Sequence, residues 1–175
     1  MNPMDTLIWL LNFPEAHGYA MVFIAGFSIL GLFALSVRGV APGGELRAIR
    51  EREGLLRPEE RSRGLVGGSI LRIVFRVLAF LMLGSLIIGI LSLTGVPVTR
   101  AYIYDIGRAT TATMDGDWVT FTTADGVEYT LESNFFTPAV YPDRDVSLPS
   151  GQPVVVRYLP SHPQAFVIDS AQTPR

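Results

Sequence analysis

The stretch LRIVFRVLAF, residues 71–80, decides how the rest of the chain is read. It opens a run that stays apolar as far as Leu93, yet it carries Arg72 and Arg76 within its first turns. At the middle of a spanning helix each arginine costs about 2.5–3.5 kcal/mol on insertion scales. Four residues apart, the two share one helix face and sit near one end of the segment. From there their stems reach the headgroup layer while residues 77–93 fill the hydrocarbon. Arg72 and Arg76 are therefore expected to anchor the segment at a membrane interface.

A second run, GYAMVFIAGFSILGLFALSV over residues 18–37, carries no charge at all. A helix of that length reaches about 30 Å, the thickness of a bilayer's hydrocarbon. Two such runs in 175 residues leave little chain to bury them in a soluble core. Composition agrees, with 49% hydrophobic residues and a positive mean hydropathy of +0.35. The sequence predicts two transmembrane helices, 18–37 and 70–94, paired as a helical hairpin.

Their direction follows from arginine placement. Residues 38–69 hold seven arginines between Arg38 and Arg63, whereas residues 1–17 hold none. Only Arg100 and Arg108 follow closely after the second span. The positive-inside rule counts basic residues and ignores the loop's glutamates. The loop 38–69 is thus expected in the cytoplasm and both termini outside a bacterial cytoplasmic membrane. That all fourteen basic residues are arginine reads as codon bias. Within the loop, ELRAIRERE predicts a short helix over 45–53, ended by Gly54 and Pro58. Ser85 and Gly89 form a small-residue pair expected to meet the first span at Gly26 or Gly31.

The tail 1–17 has an apolar run but no basic n-region, so it makes a poor signal peptide. Asp5 is expected to cap a short helix over residues 6–12 that ends at Phe13-Pro14. Trp9, with Tyr19 nearby, reads as an aromatic anchor in the outer interface.

From about residue 97 the composition changes, and period-two alternation replaces helical spacing. In WVTFTT, Val119 and Phe121 face one way and Trp118, Thr120 and Thr122 the other. VEYTL, residues 127–131, follows across an Asp125-Gly126 hairpin turn, with both turn residues expected at positive φ. MDGD plays the same part before Trp118, after a strand over 109–114. Further strands are expected at 98–106, at PVVVRY with Val154, Val156 and Tyr158 on one face, and at AFVID. The result is an extracytoplasmic all-β domain over 97–170, a barrel or sandwich of five or six strands around one thin core, with 171–175 as a tail.

FTTADGVEYT and SGQPVVVRYLPSHPQAFVID together resemble the extracytoplasmic module of the bacterial membrane-protein family called domain of unknown function 3592. The matching positions are Asp125, Gly126 and Tyr129, then Gly151, Val154, Val156 and Tyr158, then Pro160, Pro163, Ala165 and Phe166. His162 stands where that pattern carries Asn or Asp. The resemblance implies a membrane-anchored β module and no activity. On physical grounds, Pro160 and Pro163 are expected to stop the sheet by removing donors.

Catalytic chemistry is sparsely supplied. There is no cysteine, and His17 and His162 have no relay partner by spacing. Asp115, Asp117 and Asp125 sit in turns without the alternating ligand spacing of a calcium loop. No catalytic residue, metal site or cofactor is expected, and a net charge of -2 gives no field for nucleic acid. The informative stretch is NFFTPAVYPDRDVSLPSG, where Phe135, Phe136, Val140 and Tyr141 stand in a long connection. Two readings are open: a contact surface for a partner, or groups that plug the core or rest on the membrane. The sequence reading is a non-enzymatic accessory or scaffold protein whose β module contacts a membrane or envelope protein or polymer. The alternative is a ligand-binding receptor or enzyme subunit, and a homo-oligomer is compatible with either.

Overall fold

The computed structural model describes residues 2–38, 49–50, 52–54, 58–146, 148 and 150–173, with the backbone alone for 37–38 and 58–68. The chain forms two compact units, residues 24–84 and residues 1–23 with 85–175. Its helices are α1 (Pro3–Ala16), α2 (Gly18–Arg38), α3 (Pro58–Leu93) and α4 (Arg100–Ile106).

In α2 and α3, Gly18–Ser36 and Ser69–Leu93 are long and apolar enough to cross a membrane. Helix α3 starts at Pro58, inside the segment expected between the spans, while its span-length apolar part begins at Ser69. Proline suits a helix start, where its missing N–H costs nothing. Of the expected helix 45–53, residues 45–48 and 51 lie outside the described residues. Residues 49, 50 and 52 are helical, and Glu53 N–H donates to the Ile49 carbonyl before Gly54 turns at φ +70°. Inside the unit 24–84, Arg76 Nε donates to Ser36 Oγ at 3.3 Å, so this arginine ties one helix to the other. Arg72 is exposed.

The unit built from the two ends of the chain holds the sheet. Six strands, β1 (Arg108–Asp115), β2 (Trp118–Thr122), β3 (Glu128–Glu132), β4 (Val140–Tyr141), β5 (Pro153–Leu159) and β6 (His162–Asp169), lie in the order β3-β2-β1-β5-β6-β4. All neighbours are antiparallel except β4 and β6. The sheet curls on itself, because Phe121 of β2 reaches Phe166 of β6, three strands away in the order, at 5.9 Å between rings. Val119, Phe121, Val154, Val156 and Tyr158 fill the concave side, on the faces that the alternation assigns to them.

The expected single core is in fact two. Outside β5 and β6, Leu159, Ala165 and Val167 pack with Ile103 of α4 and Ile8 of α1. That second layer explains why residues 165–169 of β6 are all buried rather than alternating. The expected strand at 98–106 is helix α4 instead. Its Tyr-Ile-Tyr centre favours strands, but Ile103 docks on the sheet with Tyr102 and Tyr104 packed beside it, and Thr99 and Gly107 close the turn through Ile103. Pro163 does not stop the sheet: it lies within β6 beside the irregular pairing that follows the Pro160-Ser161 turn, a place where proline is tolerated. In the β1–β2 and β2–β3 turns positive φ falls on Gly116 and Gly126, and neither turn's aspartates adopt it.

Glycine is required where α4 meets β1. A Cβ on Gly107 would stand 2.2 Å from the Ile103 carbonyl oxygen. Gly107→Ala is therefore expected to destabilise the unit by about 3 kcal/mol, measured as a lower thermal midpoint in detergent. An unchanged midpoint would contradict this packing.

Candidate functional site

The expected interfacial tail is a full helix. Asn2, rather than Asp5, caps α1, its Oδ1 accepting from Met4 N–H at 3.1 Å. The helix runs through Pro14 to Ala16, beyond the break expected at Phe13-Pro14. Side chains strap it across the β5–β6 hairpin. Trp9 stacks on His162 with centroids 4.6 Å apart, and His162 Nε2 and Thr6 Oγ1 share a hydrogen bond of 3.1 Å. Asp5 accepts from Ser161 Oγ at 3.1 Å. Elsewhere on α1, Met4, Leu7, Leu10 and Phe13 are exposed apolar residues.

At its last turn α1 delivers Glu15 into the interior, where the residue is 0% exposed. Its carboxyl accepts from the backbone N–H groups of Val98 and Thr99 and from Thr99 Oγ1. Arg100 Nε lies 3.6 Å from Glu15 Oε1, and Ser92 Oγ donates to the Glu15 carbonyl at 2.7 Å. One residue thus joins α1, the end of α3 and the start of α4. Beside it, α2 and α3 touch at glycines: a Cβ on Gly18 would stand 3.1 Å from the Gly89 carbonyl oxygen. Gly18, not Gly26 or Gly31, is the small-residue partner, and a Cβ at either of those meets nothing within 4 Å.

The four residues singled out after β3 divide into two pairs. Val140 and Tyr141 form β4 and are partly buried, Val140 against the concave core and Tyr141 edge-on to Tyr104 at 5.3 Å. Phe135 and Phe136 instead stand 73% and 61% exposed, so neither plugs a core. They form an aromatic trio with Tyr19 of α2, whose ring centroid lies 5.4 Å from Phe135 and 5.8 Å from Phe136. Asn134 holds this corner by accepting from the N–H groups of Phe136 and Thr137.

Two further buried charges escaped the sequence reading, as Glu15 did. Asp169 is fully buried and accepts from Arg157 Nε at 2.8 Å, while the Arg157 guanidinium covers the Tyr104 ring at 4.7 Å. Arg100, 2% exposed, leaves its Nη1 without a partner among the described residues. That arginine lines a cleft of about 210 Å³ with Asn12, His17, Glu132 and Gln164. Of the turn aspartates, Asp115 accepts from Ser150 Oγ at 3.2 Å. Among the described residues, no three His, Asp or Glu converge as a metal site.

No protein-family model, curated protein or solved structure matches this chain. Its chemistry has to be read from its own geometry.

Burial pushes the Glu15 carboxyl above its ordinary value, against the lowering pull of the Thr99 and Val98 hydrogen bonds and of Arg144. A carboxyl raised in the folded state holds its proton more tightly there than in the unfolded chain. Its stabilising contribution is complete below the ordinary value of 4.5 and is lost as pH rises through the raised one. Wild-type protein is thus expected to lose stability relative to Glu15→Gln as pH rises across that window, read from thermal midpoints in detergent; parallel pH profiles would contradict it. Glu15→Ala is expected to cost about 3 kcal/mol, because Arg100 is left buried without its counter-charge.

Proposed function

We propose that this chain is a non-enzymatic accessory protein of a bacterial cytoplasmic membrane. In this reading α2 and α3 span the bilayer, the arginine-rich segment between them is cytoplasmic, and the sheet unit works outside. Insertion is supported by what the helices leave uncovered: Phe27, Leu30 and Phe80 are each more than 70% exposed. Helices apolar on every side and uncovered by protein suit lipid as their solvent. Membership of the family that the two strand motifs resemble belongs to the same proposal and adds no activity to it.

The observation that carries the functional reading is the Tyr19–Phe135–Phe136 trio. It stands where α2 begins, level with the end of the first span, and the exposed apolar residues of α1 belong to the same sheet unit. Aromatic groups concentrate at that depth of a membrane. The trio therefore suits the lipid–water boundary, and its partner is a membrane protein met there, not a soluble polymer. Phe135 and Phe136 are the anchors of that contact. A ligand-binding receptor is the second reading, favoured by the orphaned Arg100 Nη1 in its polar cleft.

Crosslinking in native membranes, followed by capture of the full chain in mild detergent, tests the first reading. The wild type is expected to recover a membrane protein that the Phe135→Ala/Phe136→Ala variant recovers at least about tenfold less, with unchanged thermal stability. Equal recovery by both would remove the proposed surface.

A further inference from the structure

Arg144, in the connection after β4, has one guanidinium nitrogen in use and one idle. Its Nη1 donates to the Ser92 carbonyl at 2.9 Å, where the positive charge complements the C-terminal end of α3. Its Nη2 is shielded from water and has no hydrogen-bond partner among the described residues. Buried donors of this strength are rarely left without an acceptor.

Arg144 lines a groove of about 400 Å³ whose other walls say what that acceptor is. Gly18, Tyr19 and Leu93 line it, and these are the ends of the two candidate spans. Phe135, Phe136 and Leu148 make its sides apolar. A cation seeking an acceptor, set above an apolar wall at the end of a span, matches the level where a lipid's phosphate meets its chains. Two carboxyls also line the groove. That of Glu15 is occupied by Val98, Thr99 and Arg100, whereas Asp145 is exposed next to Arg144. Adjacent charges of opposite sign complement a zwitterion, and Asp145 disfavours a purely anionic group.

We propose that this groove holds one phospholipid of the surrounding bilayer with an amine-bearing, zwitterionic headgroup. The phosphate accepts from Arg144 Nη2 and the ammonium faces the Asp145 carboxylate. The inference rests on the spans lying in a bilayer, as proposed above, and on neither the face occupied nor the protein partner.

Native mass spectrometry of the full chain, released from nanodiscs of equal phosphatidylethanolamine and phosphatidylglycerol, tests it. Wild type is expected to retain one phospholipid, with ethanolamine preferred severalfold. Arg144→Gln is expected to cut retention roughly tenfold, the loss that follows from one charge-assisted hydrogen bond. Asp145→Asn is expected to keep a lipid but lose the headgroup preference. Should Arg144→Gln not fold, Arg144→Lys keeps the charge, lacks the second nitrogen, and is expected to lose retention in the same direction. Wild-type retention in a folded arginine variant, equal retention of the two lipids, or displacement by inorganic phosphate would overturn the proposal. A protein that carbonate extracts from membranes refutes the bilayer reading itself; one that stays in the membrane without bound lipid refutes this site alone.

Discussion

The sheet unit depends on one buried carboxyl. Glu15 reaches the interior from the last turn of α1 and binds the backbone where the chain leaves α3 and enters α4. Burying such a group is unfavourable unless its oxygens find donors, and here Val98, Thr99 and Arg100 supply them. Segments more than eighty residues apart are thereby fixed to one another without a disulfide, in a chain that has no cysteine. Beside this knot, Ile8 of α1 and Ile103 of α4 pack on Leu159 and Val167.

That fixation has a functional consequence under the proposed arrangement. The first helix and the ends of α2 and α3 belong to the same compact unit as the sheet. Tyr19, Phe135 and Phe136 are held at a set place on it, and so is Arg144 at the end of α3. Groups held in place on one unit lower the cost of meeting a partner, because less freedom is lost on contact.

Much of this architecture was legible in the sequence wherever one face of an element is buried and the other is not. Val119 and Phe121 alternate with exposed neighbours, so β2 declares itself, and Gly126 marks its turn. Residue patterns fail where burial is two-sided or rests on contacts distant in sequence. Strand β6 is covered on both faces, and α4 is held by Arg100, Ile103 and its half-buried tyrosines although those tyrosines favour strands. The Glu15 knot was hidden for another reason: each member is an ordinary residue, and only the fold brings position 15 to positions 98–100. The same holds for Arg144, whose idle nitrogen has meaning only beside Ser92 and the groove. Phe135 and Phe136 were visible as candidates, but their separation from Val140 and Tyr141 required knowing that β4 joins the sheet.

The central claim is that arginine holds residues 38–69 inside the cell and so commits the sheet to the outside. Because the chain lacks cysteine, single substitutions can report on this directly. Asp125→Cys sits at an exposed turn of the sheet and Arg50→Cys in the arginine-rich segment, also exposed. With a membrane-impermeant maleimide on intact cells, the account predicts labelling at position 125 at once and at position 50 only after permeabilisation. The reverse pattern, or equal labelling of both in intact cells, would contradict it.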